Sequence, residues 1–251
     1  MELSKRLQAV ANMLSEHYRV ADIGTDHGYL PIYLIEQEKS PYIVAMDINE
    51  GPLIRAREHI INAGLSSSEY TRIHIRRSDG VKELSPGEVD SVVLAGMGGG
   101  LMIRIMTEGA TVFRTIKECI LQPQSEIEKV RAFLQEQKYT ICKEDMVLED
   151  GKYYPMMKVV QGIDTTYRLM ELRYGRQLLL QKHPILCRYL QKEICGKQQI
   201  LRELQDKKGA CIEQRRNVLR AELECACQAL QVYGQERGND GLQRDVYHTD
   251  K

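Results

Sequence analysis

Three strand-like runs in the first part of the chain end in an aspartate, and a fourth ends in a cluster of glycines. RVAD ends at Asp22, PYIVAMD at Asp47 and RIHIRRSD at Asp79, while VDSVVLAG runs into Gly96-Met97-Gly98-Gly99-Gly100. A carboxylate at a strand end can accept hydrogen bonds from a sugar or face a cation, and glycine there lets the backbone come close to a ligand. The turn after the first run, DIGTDHGYLP, places Gly24 and Gly28 around Asp26. A dinucleotide fingerprint, G-x-G-x-x-G, would carry its second glycine where Asp26 stands. A pyrophosphate prefers backbone N–H groups and a helix N-terminus with no carboxylate nearby, so Asp22 and Asp26 together disfavour it. Asp47 follows Gly28 by 19 residues, close to the separation at which an acidic residue meets ribose hydroxyls. A ligand with a ribose and a cationic centre but no phosphate meets both conditions, and S-adenosylmethionine is such a ligand. Asp22, Asp26 or both would serve its methionine end, and Asp47 its ribose. Asp26 has a second reading, as a cap of the helix that follows.

Elements must place these residues on one side of a sheet. MELSKRLQAVANML predicts a helix, with Leu3, Leu7, Val10 and Leu14 at helical spacing. Strands are predicted at RVADIG, PYIVAMDI, TRIHIRRSDG, VDSVVLAG and ECILQPQ. Between them lie helices at LPIYLIEQE, at GPLIRAREHIINAG (closed by Gly64), at GMGGGLMIRIM and at SEIEKVRAFLQEQ, the last with a Ser125–Glu128 capping-box signature. Strict alternation with near-continuous apolar strands predicts an α/β domain with a mostly parallel sheet. YTICKEDMVLE and YYPMMKVVQ, joined at Asp150-Gly151, predict a terminal antiparallel hairpin.

After Gly162 the pattern is helical throughout. YRLMELRYGRQLLLQK reads as one helix. A second starts at His183-Pro184 and carries Cys187, Leu190, Ile194, Lys197, Leu201 and Leu204 on its seam. Lys208-Gly209 breaks it, and a third places Ile212, Leu219, Ala226 and Tyr233 seven apart, interleaved with Arg216, Leu223 and Leu230. Such a pair predicts an antiparallel, coiled-coil-like helical hairpin. The expected domains are therefore 1–162, 163–234 and a polar tail at 235–251.

DIGTDHGYLPIYL, AMDI, RSDG, VVLAGMGGGLM, LQPQ and EDGKYYPMM, in this order, resemble the bacterial TrmK family. Its members are S-adenosylmethionine-dependent methyltransferases acting on N1 of the adenine at position 22 of certain tRNAs. The resemblance covers about residues 1–230 and implies a Rossmann-like class I methyltransferase domain with a C-terminal coiled-coil-like domain. It also implies that Asp22, Gly24, Asp26, Gly28, Asp47, Ile48, Asn49, Asp79 and Gly80 line the cofactor site. Gly96, Met97 and Gly98 would form the floor between cofactor and base, and His27 and Tyr29 would stand beside the methyl donor. Asp22, His27, Tyr29 and Met97 are then the residues expected at the reacting atoms. His27 pairing with a carboxylate and Tyr29 merely packing are the plainer roles for those two.

The chemistry agrees with what the chain lacks. Adenine N1 has an in-plane lone pair and needs alignment more than a base. No Asn-Pro-Pro-Tyr-like turn for exocyclic amines follows the fourth strand, and Cys119 and Cys142 lack the context of a C5-methylating nucleophile. The net charge is zero, but residues 1–160 hold 19 basic and 23 acidic side chains and residues 161–251 hold 16 and 12. The basic tail points to a tRNA substrate, with Arg168, Arg173, Arg176, Lys192, Arg215 and Arg216 among the expected RNA contacts. Seven cysteines without C-x-x-C spacing point to thiols in a reducing cytoplasm and to no metal framework. No apolar run approaches a membrane span. The seam is too short to demand a dimer, so a monomer is expected, with a weak dimer as the variant. A methyltransferase for another RNA, a protein or a small molecule is the competing reading.

Overall fold

The computed structural model describes residues 2–234, so the tail expected at 235–251 lies outside the described residues. The chain divides into two compact units, with the boundary between Leu178 and Leu179.

In the first unit α1 (Lys5–Met13) precedes β1 (Val20–Ile23), α2 (Tyr29–Glu36), β2 (Ile43–Asp47), α3 (Glu50–Asn62), a short α4 (Ser67–Tyr70) and β3 (Ile73–Arg77). Then come β4 (Ser91–Met97), α5 (Gly99–Glu108), a short α6 (Ala110–Phe113), β5 (Glu118–Pro123), α7 (Ile127–Glu136), β6 (Tyr139–Glu149) and β7 (Lys152–Gln161). The seven strands form one sheet in the order β3-β2-β1-β4-β5-β7-β6. The first five are parallel, and β7 runs antiparallel to both β5 and β6. This is the predicted mostly parallel sheet with a terminal hairpin. Asp150 and Gly151 both adopt positive φ, 49° and 74°, as the expected two-residue hairpin turn requires.

The continuous apolar strands are explained by two cores, one on each face of the sheet. Val20, Ile43, Val93 and Ile120 point toward α1 and α2; Ala21, Val44, Val92, Leu94, Cys119 and Leu121 point toward α5 and α7. Alternate residues of each strand therefore serve opposite layers. The end of α1 is tied to the sheet through Glu118, which accepts from Ser15 N at 2.8 Å and Ser15 Oγ at 2.6 Å and pairs with Lys158 at 2.7 Å. Anchored there, α1 sends its first turn, with Ser4 and Arg6, back to the carboxyl ends of the strands.

Two local expectations are corrected. The capping box expected at Ser125–Glu128 is not formed: α7 starts after Glu126, which has φ 53° and makes no cap. Ser125 O instead accepts from Gly99 N at 3.1 Å, and the Glu126 carboxylate accepts from Gly100 N at 3.1 Å. Both residues thus satisfy the open amides at the start of α5. The same S-x-x-E signature at Ser66–Glu69 does form a capping box, on α4.

The segment expected as one helix from Tyr167 is broken into α8 (Leu169–Tyr174) and α9 (Arg176–Leu180) at Gly175. Gly175 has φ 92°, and a Cβ there would lie 2.6 Å from Glu144 Oε1 and 2.8 Å from Arg131 Nη2. Glycine lets the backbone press onto that buried pair. Arg131 bonds Glu144 through Nε and Nη2 at 2.9 and 2.8 Å, and its Nη1 donates to the carbonyls of Leu172 and Arg173. Gln177 N donates to Glu144 Oε2 at 2.9 Å. These bonds tie residues 163–178 to the first compact unit, which ends at Leu178.

In the second unit α10 (Pro184–Glu203) and α11 (Ala210–Gln231) pack on each other. Tyr233 Oη donates to His183 O at 3.0 Å, Lys197 pairs with Glu222, and Arg216 Nη1 donates to Gln205 O at 3.1 Å. As the number rises on one helix it falls on the other, so the pair is antiparallel. Ile212, Leu219, Leu223, Ala226, Leu230 and Tyr233 are all buried or half-buried, as the heptad spacing predicts.

Candidate active site

The ends of β1, β2 and β4 open into two adjoining cavities. One, of about 290 Å3, is bounded by Ser4, Arg6 and Leu7 of the α1 region, by Asp22, Gly24, Thr25, Asp26, His27, Tyr29 and Leu30, and by Ala95. The other, of about 280 Å3, is bounded by Gly24, Asp47, Ile48, Asn49, Ser78, Asp79, Gly80, Ala95, Gly96 and Met97, together with Ile23, Leu101, Arg104 and Ile105. Gly24 and Ala95 belong to both, so the two form lobes of one cleft. A larger cavity, about 580 Å3, lies beside Tyr139 and Gln161 near the start of β5, away from these strand ends.

Most predicted site residues meet in this cleft. Gly28 and Gly98 do not line it. Gly28 starts α2 at φ 70°, and a Cβ there would meet Ala56 of α3 at 3.2 Å. It therefore serves the packing of two helices. Gly98 is the residue before α5 and faces Ser125.

Asp22 is 6% exposed. Burial pushes its carboxyl pKa up to about 6, opposed in part by the Thr25 hydroxyl and the Arg6 charge. Arg6 is held by Gln122, whose Oε1 accepts from Arg6 Nη1 at 3.1 Å and from Gly96 N at 3.0 Å. Gln122 is fully buried in β5. Thr25 Oγ1, buried beside Asp22, is close enough to act on its carboxyl but makes no well-formed hydrogen bond among the described residues.

Asp26 lines the first lobe, as expected, but does not cap α2: Gly28 precedes that helix without a side-chain cap. Its carboxylate is largely exposed and is engaged by Arg55 at 2.8 Å and His27 Nε2 at 3.3 Å. The cation it meets comes from α3 of this chain. Asp22 is thus the carboxylate left for a ligand in the first lobe.

His27 and Tyr29 stand together with a third ring that sequence reasoning missed. His59, from the last turn of α3, lies 5.4 Å from the His27 ring and 5.0 Å from that of Tyr29; His27 and Tyr29 are 5.3 Å apart. All three planes are within 21° of one another. His59 Nδ1 is 2.9 Å from the His27 carbonyl, and Tyr29 is 38% exposed. The three rings therefore form a stacked cluster of which His27 and Tyr29 line the first lobe.

In the second lobe Asp47 Oδ1 accepts from Asn49 N at 2.8 Å, which leaves Oδ2 open among the described residues. Asp79 is tied to Lys82 at 2.6 Å and Arg104 at 3.0 Å. Its carboxylate orients those cations along the rim. Arg6, Thr25, Gln122, His59 and Arg104 were not expected here. A polar residue inside the apolar ECILQP strand was the signal available for Gln122; the others carry no local mark.

The second unit and the segment before it sort the predicted RNA contacts. Arg168, Lys192 and Arg215 are exposed, while Arg173, Arg176 and Arg216 are half-buried. Arg176 is consumed internally: it pairs with Asp164 at 3.0 Å and Glu171 at 3.1 Å and lies 3.8 Å over the Tyr167 ring. All seven cysteines are free. Among the described residues no helix is long and apolar enough to cross a membrane, and no group of three or more His, Cys, Asp or Glu could hold a metal ion.

Residues 3–157 match the family described as a methyltransferase domain. A Bacillus subtilis (strain 168) protein named tRNA (adenine(22)-N(1))-methyltransferase is 34% identical over 176 residues, covering 70% of this chain and 72% of that protein. A Streptococcus pneumoniae protein, Sp1610, solved in complex with S-adenosyl-L-methionine, superposes with a TM-score of 0.80 at 29% identity, over 91% of this chain and 100% of that one. TrmK from M. capricolum, solved with S-adenosyl-homocysteine, gives 0.79 at 25% identity, over 92% and 99%. Two-lobed cleft, sheet order and sequence relationship converge on one conclusion: the chain belongs to the TrmK family of tRNA (adenine(22)-N(1))-methyltransferases.

Proposed function

We propose that this chain transfers a methyl group from S-adenosylmethionine to N1 of the adenine at position 22 of tRNA. The observation that carries the reading is the two-lobed cleft joined at Gly24 and Ala95, with a buried, unpaired carboxylate, Asp22, in one lobe and the open oxygen of Asp47 in the other. The family relationship and the ligands of the solved relatives support the same assignment.

The residues present fit the cofactor. Asp47 Oδ2 can accept from ribose hydroxyls, with Ile48, Asn49, Asp79 and Gly80 around the adenosine. The unpartnered Thr25 hydroxyl and the Asp22 carboxylate meet the polar, cationic end at the Gly24 junction. S-adenosylmethionine, when bound, supplies an electrophilic methyl group on a sulfonium.

The acceptor base enters the first lobe. Adenine N1 attacks with its in-plane lone pair, and no proton has to leave first. The chain therefore aligns and shields the reaction. His27 and Tyr29, backed by His59, offer ring faces on which an extruded base stacks. Leu7 and Leu30 supply apolar wall to the lobe. Positive charge develops on the adenine ring, and the Asp22 carboxylate, ionised above about pH 6, stabilises it in a low-dielectric site. Met97 forms the floor under the junction.

The first unit is in this reading the catalytic domain. The antiparallel pair α10–α11 is a coiled-coil-like arm whose exposed Lys192 and Arg215 meet RNA phosphates, and exposed Arg168 of the first unit meets them too. The chain works as a monomer in the cytoplasm. Nucleoside mass spectrometry of tRNA treated with protein and cofactor tests the reading. 1-Methyladenosine in a transcript with adenine at position 22, and none when that base is guanine, is the expected result. Methylation of a free nucleoside or a protein but not of tRNA would overturn it.

A further inference from the structure

At the turn between α10 and α11 a cavity of about 300 Å3 is bounded by Leu201, Arg202, Gln205, Arg216 and Arg220. Three arginine side chains line it. Between residues 199 and 220 six basic side chains stand against three acidic ones, so the local field is positive although the whole chain is neutral. Arg216 is the built part of the site. Its side chain is 19% exposed, its Nη1 donates to Gln205 O at 3.1 Å, and its Nη2 pairs with Glu213. Its Nε is buried with no hydrogen-bond partner among the described residues. A buried donor left open costs free energy unless something accepts from it. The carbonyl and Glu213 fix the plane of the guanidinium, so the open Nε is held in one direction. The Arg202 guanidinium has no hydrogen-bond or ion-pair partner among the described residues. Arg220 is 61% exposed and reaches Glu213 only at 3.9 Å.

We propose that Arg202, Arg216 and Arg220 form a clamp for one phosphate of the tRNA backbone at the turn between α10 and α11. A tetrahedral phosphate offers several strong acceptors, and the planar donor fork of arginine matches two of them at once. The Arg216 guanidinium, fixed at one wall of the cavity, would face one oxygen, and the two more exposed arginines would close over the others. The clamp reads no base. It sets where the arm lies along the RNA.

The inference rests on tRNA being the substrate, so its test reads binding separately from methyl transfer. The double variant R202Q/R220Q leaves the Arg216 bonds intact and changes two exposed positions, and a thermal melt equal to the parent's verifies the fold. Affinity of the full chain for a tRNA transcript is then measured over a range of salt. The expected result is an affinity about tenfold weaker than the parent's near 0.1 M salt, with the log–log salt slope smaller by roughly 0.7–0.9. Equal affinity and slope in a parent-like fold would overturn the clamp, even if the parent methylates tRNA normally. Inorganic phosphate that abolishes the parent–variant difference at matched ionic strength would assign the pocket to a free anion and overturn it too. A parent that binds with the expected slope difference yet never yields 1-methyladenosine would sink the proposed reaction and leave the clamp standing.

Discussion

Asp22 and Glu144 are both carboxylates nearly out of reach of water, 6% and 2% exposed, but their surroundings are opposite. Glu144 is matched on every side: two guanidinium nitrogens of Arg131 meet one oxygen and Gln177 N meets the other. Asp22 stands at the end of β1 with a hydroxyl and a more distant positive charge, and its pKa rises toward 6 because burial is not fully offset. A buried charge with all its partners marks a structural joint. A buried charge without them marks a place where a ligand completes the set. One region holds residues 163–178 against α7 and β6; the other waits for the reacting groups.

The largest expected effect comes from breaking the matched pair. R131M leaves Glu144 buried without its cation and should lower unfolding stability by about 3–5 kcal/mol in urea titration. The double change R131M/E144L should recover most of that loss, because no charge is then left unpaired. A single variant as stable as the parent would refute the joint.

In the cleft, D47A removes an acceptor for ribose hydroxyls. Cofactor binding should weaken by about 1.5–3 kcal/mol, roughly ten- to a hundredfold in Kd, by calorimetry. Unchanged affinity would move the ribose elsewhere.

The smallest effect concerns His59. It touches no reacting atom in this reading and acts as a positioning residue for His27 and Tyr29. H59A should reduce kcat/KM for tRNA by several-fold, about 0.5–1.5 kcal/mol, while H59F, which keeps a ring, should retain more. If both variants lose activity equally, the Nδ1 contact to His27 O rather than ring stacking carries the effect.

The frame of the molecule was legible because physics writes it locally. Strands such as VVL and CIL must bury both faces, so they read as continuous apolar runs, and Asp150-Gly151 sits where a hairpin demands positive φ. Asp22 and Asp47 were legible for the same reason, as carboxylates at strand ends. Arg6 and His59 were not, because they reach the cleft from α1 and α3, and no local spacing says which side of a helix will face a ligand. The Asp26–Arg55 pair was not legible either, because Arg55 is 29 residues away in sequence. The break at Gly175 was hidden in an apolar helical pattern. Its cause is the contact with Arg131 and Glu144, which only the folded chain provides.

Asp22 tests the contrast most directly, because its stability and its activity should move in opposite directions. The raised pKa means that the folded chain holds a proton which the unfolded chain releases between about pH 4 and 6. The stabilisation linked to that proton is full below about pH 4 and is lost as pH rises through about 6. Activity needs the ionised form, so it should rise over the pH range in which this stability falls. D22N removes the cost of the buried charge. At pH 7.5 it should be more stable than the parent by about 2–3 kcal/mol, yet form 1-methyladenosine in tRNA about a hundredfold more slowly or worse. An asparagine variant that is less stable, or that methylates tRNA at the parent rate, would contradict the assignment of Asp22 as the unpaired carboxylate at the centre of the site.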